Sequence, residues 1–411
     1  MPQADDDRGH DVVVYGATSF VGQILCRYLL ETYGVGRDLR WALAGRSKEK
    51  LETLRANLGE GARSLEIITV DATDERSLRQ MCDRANVVVS TVGPYALYGE
   101  PLVKACAESG TDYCDLTGEV QWIRRMIARY ESTARETGSR IIHCCGFDSI
   151  PSDLGVWFLQ QESQARFGKV CSRVKLRVKA ARGGVSGGTI ASLMNVLKES
   201  DKDPEIRRQL ANPYSLCMAA SGQGVKQPSG NTIVFDTEFS SWTSPFIMSS
   251  INTRIVHRSN AILGYPYGNE FLYDESVLTG RGLRGWCRAT ASKLGLGLAL
   301  LGPVRRTLAR FLLPKPGQGP SALQQETGFF DIRLFGRTPS GQTIRVKVTG
   351  DRDPGYGSTA KMLGEAAVCL ARDVSKAESS GGFWTPASAL GARLLTRLSS
   401  NAGVAFERID L

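Results

Sequence analysis

The run Asp11-Val-Val-Val-Tyr-Gly-Ala-Thr-Ser-Phe-Val-Gly22 constrains this chain more than any other part of it. A strand without a polar face must be covered on both sides, which in open α/β proteins means a parallel sheet between helices. Gly16 stands where the strand must turn sharply into a helix, and glycine takes the required backbone angles freely. Gly22, in the first turns of that helix, lets helix and sheet pack closely. The amides of Ala17, Thr18, Ser19, Phe20 and Val21 then face outward at the positive end of the helix dipole, a seat for a pyrophosphate. Ser19 occupies the place of the middle glycine usual in such turns. The expected fold class is α/β, a Rossmann doubly wound parallel sheet whose dinucleotide contacts run from Gly16 to Gly22.

The pattern continues to about residue 150. Strands are expected near Val12 to Tyr15, Arg40 to Ala44, Leu65 to Val70, Asn86 to Thr91, Thr111 to Cys114 and Arg140 to Cys145, with helices between them. Residues 1–150 therefore read as one dinucleotide-binding domain. After Ile150-Pro151 the alternation stops, and Val170 to Ala180 reads as a strand with one polar face. A second, mixed α+β domain is expected over 151–355, with further strands at Thr253 to His257, Gly328 to Phe335 and Thr343 to Thr349. Gly183 to Gly188 and Ala220 to Gly230 read as turns or loops over a cleft. Ser358 to Arg372 and Gly381 to Leu398 read as helices.

Length and composition suit two cores: 411 residues, 42% hydrophobic and 23% charged. The acidic start Asp5-Asp6-Asp7 fits neither a secretory nor a transit signal, so a cytoplasmic location is expected. Ten cysteines without a Cys-x-x-Cys, beside three histidines, suggest buried thiols and no metal. The net charge of +9 is concentrated. Between Ser276 and Pro320 stand Arg281, Arg284, Arg288, Lys293, Arg305, Arg306, Arg310 and Lys315, with no acidic residue. The apolar stretch between Lys293 and Arg305 is about half the length of a spanning helix. Two readings stay open for 276–320: a peripheral membrane surface for anionic head groups, or a solvated basic helix pair over an apolar loop. No nucleic-acid partner is expected.

Ligands of such sheets bind beyond the carboxyl ends of the strands. After the second strand, Arg46 and Ser47 stand where an acid would bind the ribose of an unphosphorylated cofactor, so a 2'-phosphate and hence NADPH is expected. Ser47 also suits a helix N-cap. Asp71 and Ala72 follow the third strand, to reach an adenine edge or to hold a turn. Thr91, Val92, Gly93 and Pro94 follow the fourth and bring rigid backbone to the pyrophosphate and ribose, leaving Tyr95 near the nicotinamide. Glu119 and Asp148 bring carboxylates to the same rim, although Asp148, Ser149 and Asp153 also suit a helix start. No tyrosine is followed four residues later by lysine, so short-chain dehydrogenase chemistry is not expected, and no Gly-Lys-[Ser/Thr] phosphate loop is present.

Taken together, Tyr15-Gly-Ala-Thr-x-Phe-x-Gly22, Ala42-Leu-Ala-Gly-Arg-Ser47, Thr91-Val-Gly-Pro-Tyr95, Asp115-Leu-Thr-Gly-Glu119 and Gly146-Phe-Asp-Ser-Ile-Pro-Ser-Asp-Leu154 form an ordered set. So do Asn252-Thr-Arg-Ile-Val256, Pro314-Lys-Pro-Gly317 and Thr385-Pro-Ala387. With them the chain resembles the saccharopine dehydrogenase-like oxidoreductases, most closely the mycobacterial trans-acting enoyl reductases. Ser19 departs from the family glycine and places a side chain beside the pyrophosphate. The resemblance implies a C-terminal helical segment, 356–411, returning to the Rossmann domain. It implies NADPH-dependent reduction of an enoyl group on a long acyl or polyketide chain, carried on a synthase that lacks this function, in lipid biosynthesis. In that reaction Tyr95 would donate to the thioester oxygen or supply the proton, with Asp148 or Glu119 orienting it. Two other functions remain open at this point. One is reduction of a small imine or amino acid, using Arg173, Arg177 and Arg182; the other is non-catalytic NADP binding at membranes or lipid bodies.

Overall fold

The computed structural model describes residues 8–36, 38–183, 187–218, 224–300 and 319–410. Six strands alternate with helices in the first part: β1 (His10–Tyr15), β2 (Trp41–Gly45), β3 (Glu66–Thr69), β4 (Ala85–Ser90), β5 (Asp112–Asp115) and β6 (Arg140–Ile142). All their pairings are parallel, and the order 6-5-4-1-2-3 places β1 centrally. Every β1 residue is buried, as an apolar strand between two helical layers requires. The register sets Tyr15 level with Ala44 and Ser90, so the loops after β1, β2 and β4 leave the sheet at one height.

The second sheet is built from β7 (Arg173–Arg182), β8 (Phe235–Asp236), β9 (Ser241–Pro245), β10 (Leu272–Gly280), β11 (Phe329–Arg337) and β12 (Thr343–Gly350). It is mixed: β7 and β10 run parallel, the remaining neighbours antiparallel. Two late strands finish the two sheets. β13 (Gly382–Trp384) pairs with β6 as the seventh strand of the first, and β14 (Val404–Arg408) pairs with β12 at the edge of the second. One apolar core joins the sheets through the helices Ile150–Phe167 and Gly357–Arg372.

The helix Gly357–Arg372 packs against the helix Phe20–Tyr33 on the first sheet. Gly364 makes the approach possible, since a Cβ there would sit 3.1 Å from Leu25 Cδ1 and from Tyr28 Cδ1. Buried Glu365 accepts from the Tyr28 hydroxyl at 2.6 Å and from Tyr33 and Asn401, and pairs with Arg397. Arg372 donates to Asp11 on β1 at 2.7 Å.

Three sequence expectations are corrected. Thr253 to His257 is the middle of a helix, Ser249–Ile262, whose Ile251, Ile255, Val256 and Ser259 are buried. β-branched residues favour strands, but burial of this segment from Arg254 to His257 lets packing override propensity. Gly381 to Leu398 is not one helix: it holds β13 and then two helices, Pro386–Ala389 and Gly391–Asn401. Gly187 and Gly188, expected in a loop, open a helix running to Lys202.

Candidate functional site

The carboxyl edge of the first sheet assembles the loops after β1, β2, β4, β5 and β6. Gly16 has φ +83°, and a Cβ there would lie 2.6 Å from Val92 Cγ2 and 2.7 Å from Thr91 Oγ1. Val92 and Thr91 thus close on the backbone of the turn, and no side chain fits between. At Gly22 a Cβ would lie 2.3 Å from the Gly16 carbonyl oxygen. Gly16 and Ala17 donate their amides to the Ala44 carbonyl, and Ser19 donates to Gly16. The amides of Thr18, Phe20 and Val21 have no acceptor among the described residues. A helix N-terminus with free amides beside a glycine cradle is an anion seat, so the turn fits a dinucleotide pyrophosphate.

Ser19 is resolved by its geometry. Its hydroxyl caps the helix by accepting from Gly22 N at 2.9 Å, and it meets Thr91 Oγ1 at 2.9 Å. Thr91 Oγ1 lies 2.9 Å from the Gly16 carbonyl oxygen. The side chain is therefore turned into the protein, tying the turn to the end of β4, and not outward beside a phosphate.

Arg46 is exposed just beyond β2 and has no ion-pair partner among the described residues. It is free to meet a phosphate. Ser47 caps the helix Lys48–Leu58 through Lys50 N at 3.3 Å. Asp71 accepts from Thr73 N at 2.8 Å and from its hydroxyl at 2.7 Å, bonds that hold its carboxyl below the ordinary range. Asp71 is thus spent on the turn, with Ala72 beside it. Burial, with the Asp71 charge second, pushes the nearby Tyr15 hydroxyl up to about 12.

Beyond β4, Gly93 and Pro94 lead into the short helix Tyr95–Tyr98. Its first two amides, Tyr95 N and Ala96 N, donate to the two carboxylate oxygens of Glu119 at 2.8 and 2.9 Å. Burial raises the Glu119 carboxyl. The Tyr95 ring is buried against Trp122, and its hydroxyl donates to the Ser90 carbonyl at 3.0 Å while accepting from Leu116 N at 3.3 Å. Its proton is engaged on the backbone, which does not match the donor role expected of it.

Asp148 differs from these. It is half-buried, its carboxylate makes no hydrogen bond among the described residues, and burial pushes it up to about 7. It lies across from the Gly118 backbone, with Oδ2 3.7 Å from where a Cβ would stand. Nor does the helix Ile150–Phe167 use its neighbours as caps. Ser149 makes no side-chain cap and donates instead to Asn252 Oδ1 at 3.1 Å; Asp153 accepts from Ser259 and, at 2.8 Å, from Ala387 N.

Two buried networks under the rim were not legible as functional groups. Asp115, at the end of β5, gathers His143 Nδ1 at 2.7 Å, the Tyr113 hydroxyl at 3.0 Å and Thr117 N at 3.0 Å. Glu275, on β10, accepts from the Tyr273 hydroxyl at 2.6 Å and from Asn252 Nδ2 at 3.0 Å, and through Asn252 it reaches Ser149. For the second network the only sequence signal was the place of Asn252 in an ordered motif. Among the described residues no group of His, Cys, Asp and Glu is arranged to hold a metal.

A parallel sheet in this order, an anion seat at its first turn and an arginine without an ion pair at the second loop fit the NADP-binding unit of a Rossmann-type protein. The chain's likenesses narrow that class. The saccharopine dehydrogenase NADP binding domain matches residues 12–142. A trans-acting enoyl reductase of Mycobacterium tuberculosis is 38% identical, with 97% of each chain aligned. One from Mycobacterium bovis is 38% identical with 97% of each aligned. The fold is similar to that of saccharopine dehydrogenase (L-Glu forming) from Saccharomyces cerevisiae, at TM-score 0.54 and 14% identity, covering 98% of this chain and 100% of that one. The chain belongs to the family of the trans-acting enoyl reductases.

Proposed function

We propose that this protein reduces the carbon–carbon double bond of an enoyl thioester on a long acyl or polyketide chain, acting in trans on a carrier-bound substrate in lipid biosynthesis. The observation that carries this reading is the full-length likeness to enzymes named for that activity, joined to a rim carboxyl able to hold a proton near neutral pH. A substrate of this kind is consistent with work in the cytoplasm at the edge of a membrane. The reading divides the chain into a cofactor domain (1–150), a substrate domain (151–355) and a returning C-terminal segment (356–411).

NADPH supplies a hydride. The amides of Thr18, Phe20 and Val21 would hold its pyrophosphate, and Arg46 with Ser47 would hold its 2'-phosphate. Reduction at the β-carbon would leave negative charge on the thioester oxygen and would call for a proton at the α-carbon. Asp148, protonated below about 7, donates it from a carboxyl oxygen. Tyr95 and Glu119 act as positioning residues: the tyrosine hydroxyl joins the loops after β4 and β5, and the glutamate fixes the amides that follow Pro94.

The test is NADPH oxidation followed with enoyl thioesters, imines and keto acids. Turnover confined to enoyl thioesters is expected. Turnover of imines alone would move the protein to the amino-acid branch, and tight NADPH binding with no turnover would make it a non-catalytic binder. The imine reading needs free arginines for a substrate carboxylate, but Arg173 and Arg177 are already paired with Asp274 and Asp236, which leaves of the three only the exposed Arg182.

A further inference from the structure

The helix Gly282–Leu300 leaves a face uncovered that is too apolar for water and too well flanked by charge to be incidental. Leu283 is 75% exposed, Leu294 61%, Leu298 55% and Trp286 43%. At about 100° per residue these four fall within an arc of about 120°. Gly285 and Ala289, on the opposite side, are the buried residues, packed on β9 and β10. The contact is close: a Cβ on Gly285 would lie 2.2 Å from the Gly280 carbonyl oxygen and 3.2 Å from Trp242. Trp242 in turn carries the exposed Phe235 ring at 5.7 Å, so the edge of the second sheet extends the apolar surface.

Cations border the stripe. On the same wheel Arg281, Arg284 and Arg288 lie along one flank and Lys293 along the other. Arg281 donates to the Ser240 carbonyl, while Arg284, Arg288 and Lys293 have no acidic partner among the described residues. No Asp or Glu occurs anywhere from Ser276 to Pro320. The helix does not meet the length and apolarity needed to cross a membrane, a property shared by every helix among the described residues. Leucines and a tryptophan between rows of unpaired arginine and lysine suit a surface that is apolar inside and anionic at its rim. We propose that Leu283, Trp286, Leu294 and Leu298 seat in the interface of an anionic phospholipid bilayer, with Arg284, Arg288 and Lys293 on its head groups. This deepens the acyl-reductase reading and rests on it for its purpose: the docked enzyme would meet a lipid-like chain where such chains collect. Charge complementarity selects the bilayer over a second copy of this chain, whose matching face would carry the same positive charge.

Cys287 makes the test direct. It is the exposed member of the described cysteines, the other nine being buried, and it lies within the stripe. The full-length protein with NADPH, labelled at Cys287 with an environment-sensitive dye, is mixed with vesicles of phosphatidylcholine, alone or with phosphatidylglycerol. Binding and a blue shift with the anionic vesicles only are expected, weakening as salt is raised. Arg284→Gln and Arg288→Gln should each weaken binding about fivefold. Leu294→Asp with Leu298→Asp should abolish the blue shift while leaving NADPH affinity and turnover of a soluble enoyl thioester unchanged. No binding, equal binding to both vesicles, or a dimer in solution dispersed by Leu294→Asp would each overturn the proposal. Since vesicle binding needs no turnover, failure here leaves the acyl-reductase reading standing, and failure of the thioester assay leaves this one standing.

Discussion

Two side chains at the rim do opposite things with their solvent exposure. Arg46 is exposed and makes no ion pair among the described residues, with the Asp71 carboxylate as the nearby opposite charge, so its guanidinium is open to a ligand. Arg46→Asp should weaken NADPH by about 10- to 100-fold, the range of a charged hydrogen bond, while NADH changes little; titration of both cofactors by fluorescence measures the ratio. Asp148 holds a carboxyl that burial favours in the neutral form up to about 7. In the unfolded chain the same group loses its proton near 4. Between those values the folded form binds more protons, so this residue costs stability as pH rises through that window and the cost persists above it. Asp148→Asn should therefore gain about 1–2 kcal/mol at pH 8 and nothing at pH 4, since the carboxyl is partly wet and its charge partly screened. If Asp148 is the proton donor, kcat should fall above about pH 7 in the native enzyme. In Asp148→Asn it should be about hundredfold lower and lack that limb. A variant that gains stability while losing turnover separates chemistry from folding.

At the scale of elements, the turn between β1 and its helix is set by one backbone approach. Gly22→Ala would drive a Cβ to 2.3 Å from the Gly16 oxygen, forcing the helix off the sheet. A cost of about 1–3 kcal/mol is expected, read by thermal unfolding, together with loss of NADPH binding. This element was legible in sequence because its physics is local: an apolar run buried on both faces and glycines where the backbone must turn. Ser19 was not, since only the fold brings Thr91 to its hydroxyl. The helix Ser249–Ile262 was read in part as a strand for a related reason. Its Asn252 and Arg258 are polar yet buried, satisfied by Glu275 and Ser149 and by the carbonyls of Leu216 and Phe383. Neither helical amphipathicity nor strand alternation survives when both faces are covered. β13 is three residues long, too short for periodicity, and its pairing partner β6 is remote in sequence. Tyr95 opens the short helix after β4, and the direction of its hydroxyl depends on Ser90 and Leu116, which no spacing rule encodes.

For the whole molecule, the first sheet and the end of the chain are bound into one body. Arg140, at the start of β6, is buried, paired with Asp112, and donates to the carbonyls of Val374 and Leu370. Arg140→Met leaves Asp112 buried without its cation, which should cost about 3–5 kcal/mol. Proteolysis or denaturant unfolding should show both sheets failing together, because one core serves both. Separate melting of the first sheet would contradict that coupling. The same closure bears on how the protein is made. During synthesis β6 leaves the ribosome with its outer edge unsatisfied, and the three residues that cover it, Gly382–Trp384, are translated long after it. The nascent first sheet must therefore wait, open along one side, and an exposed strand edge is where chaperones bind and where misassembly begins.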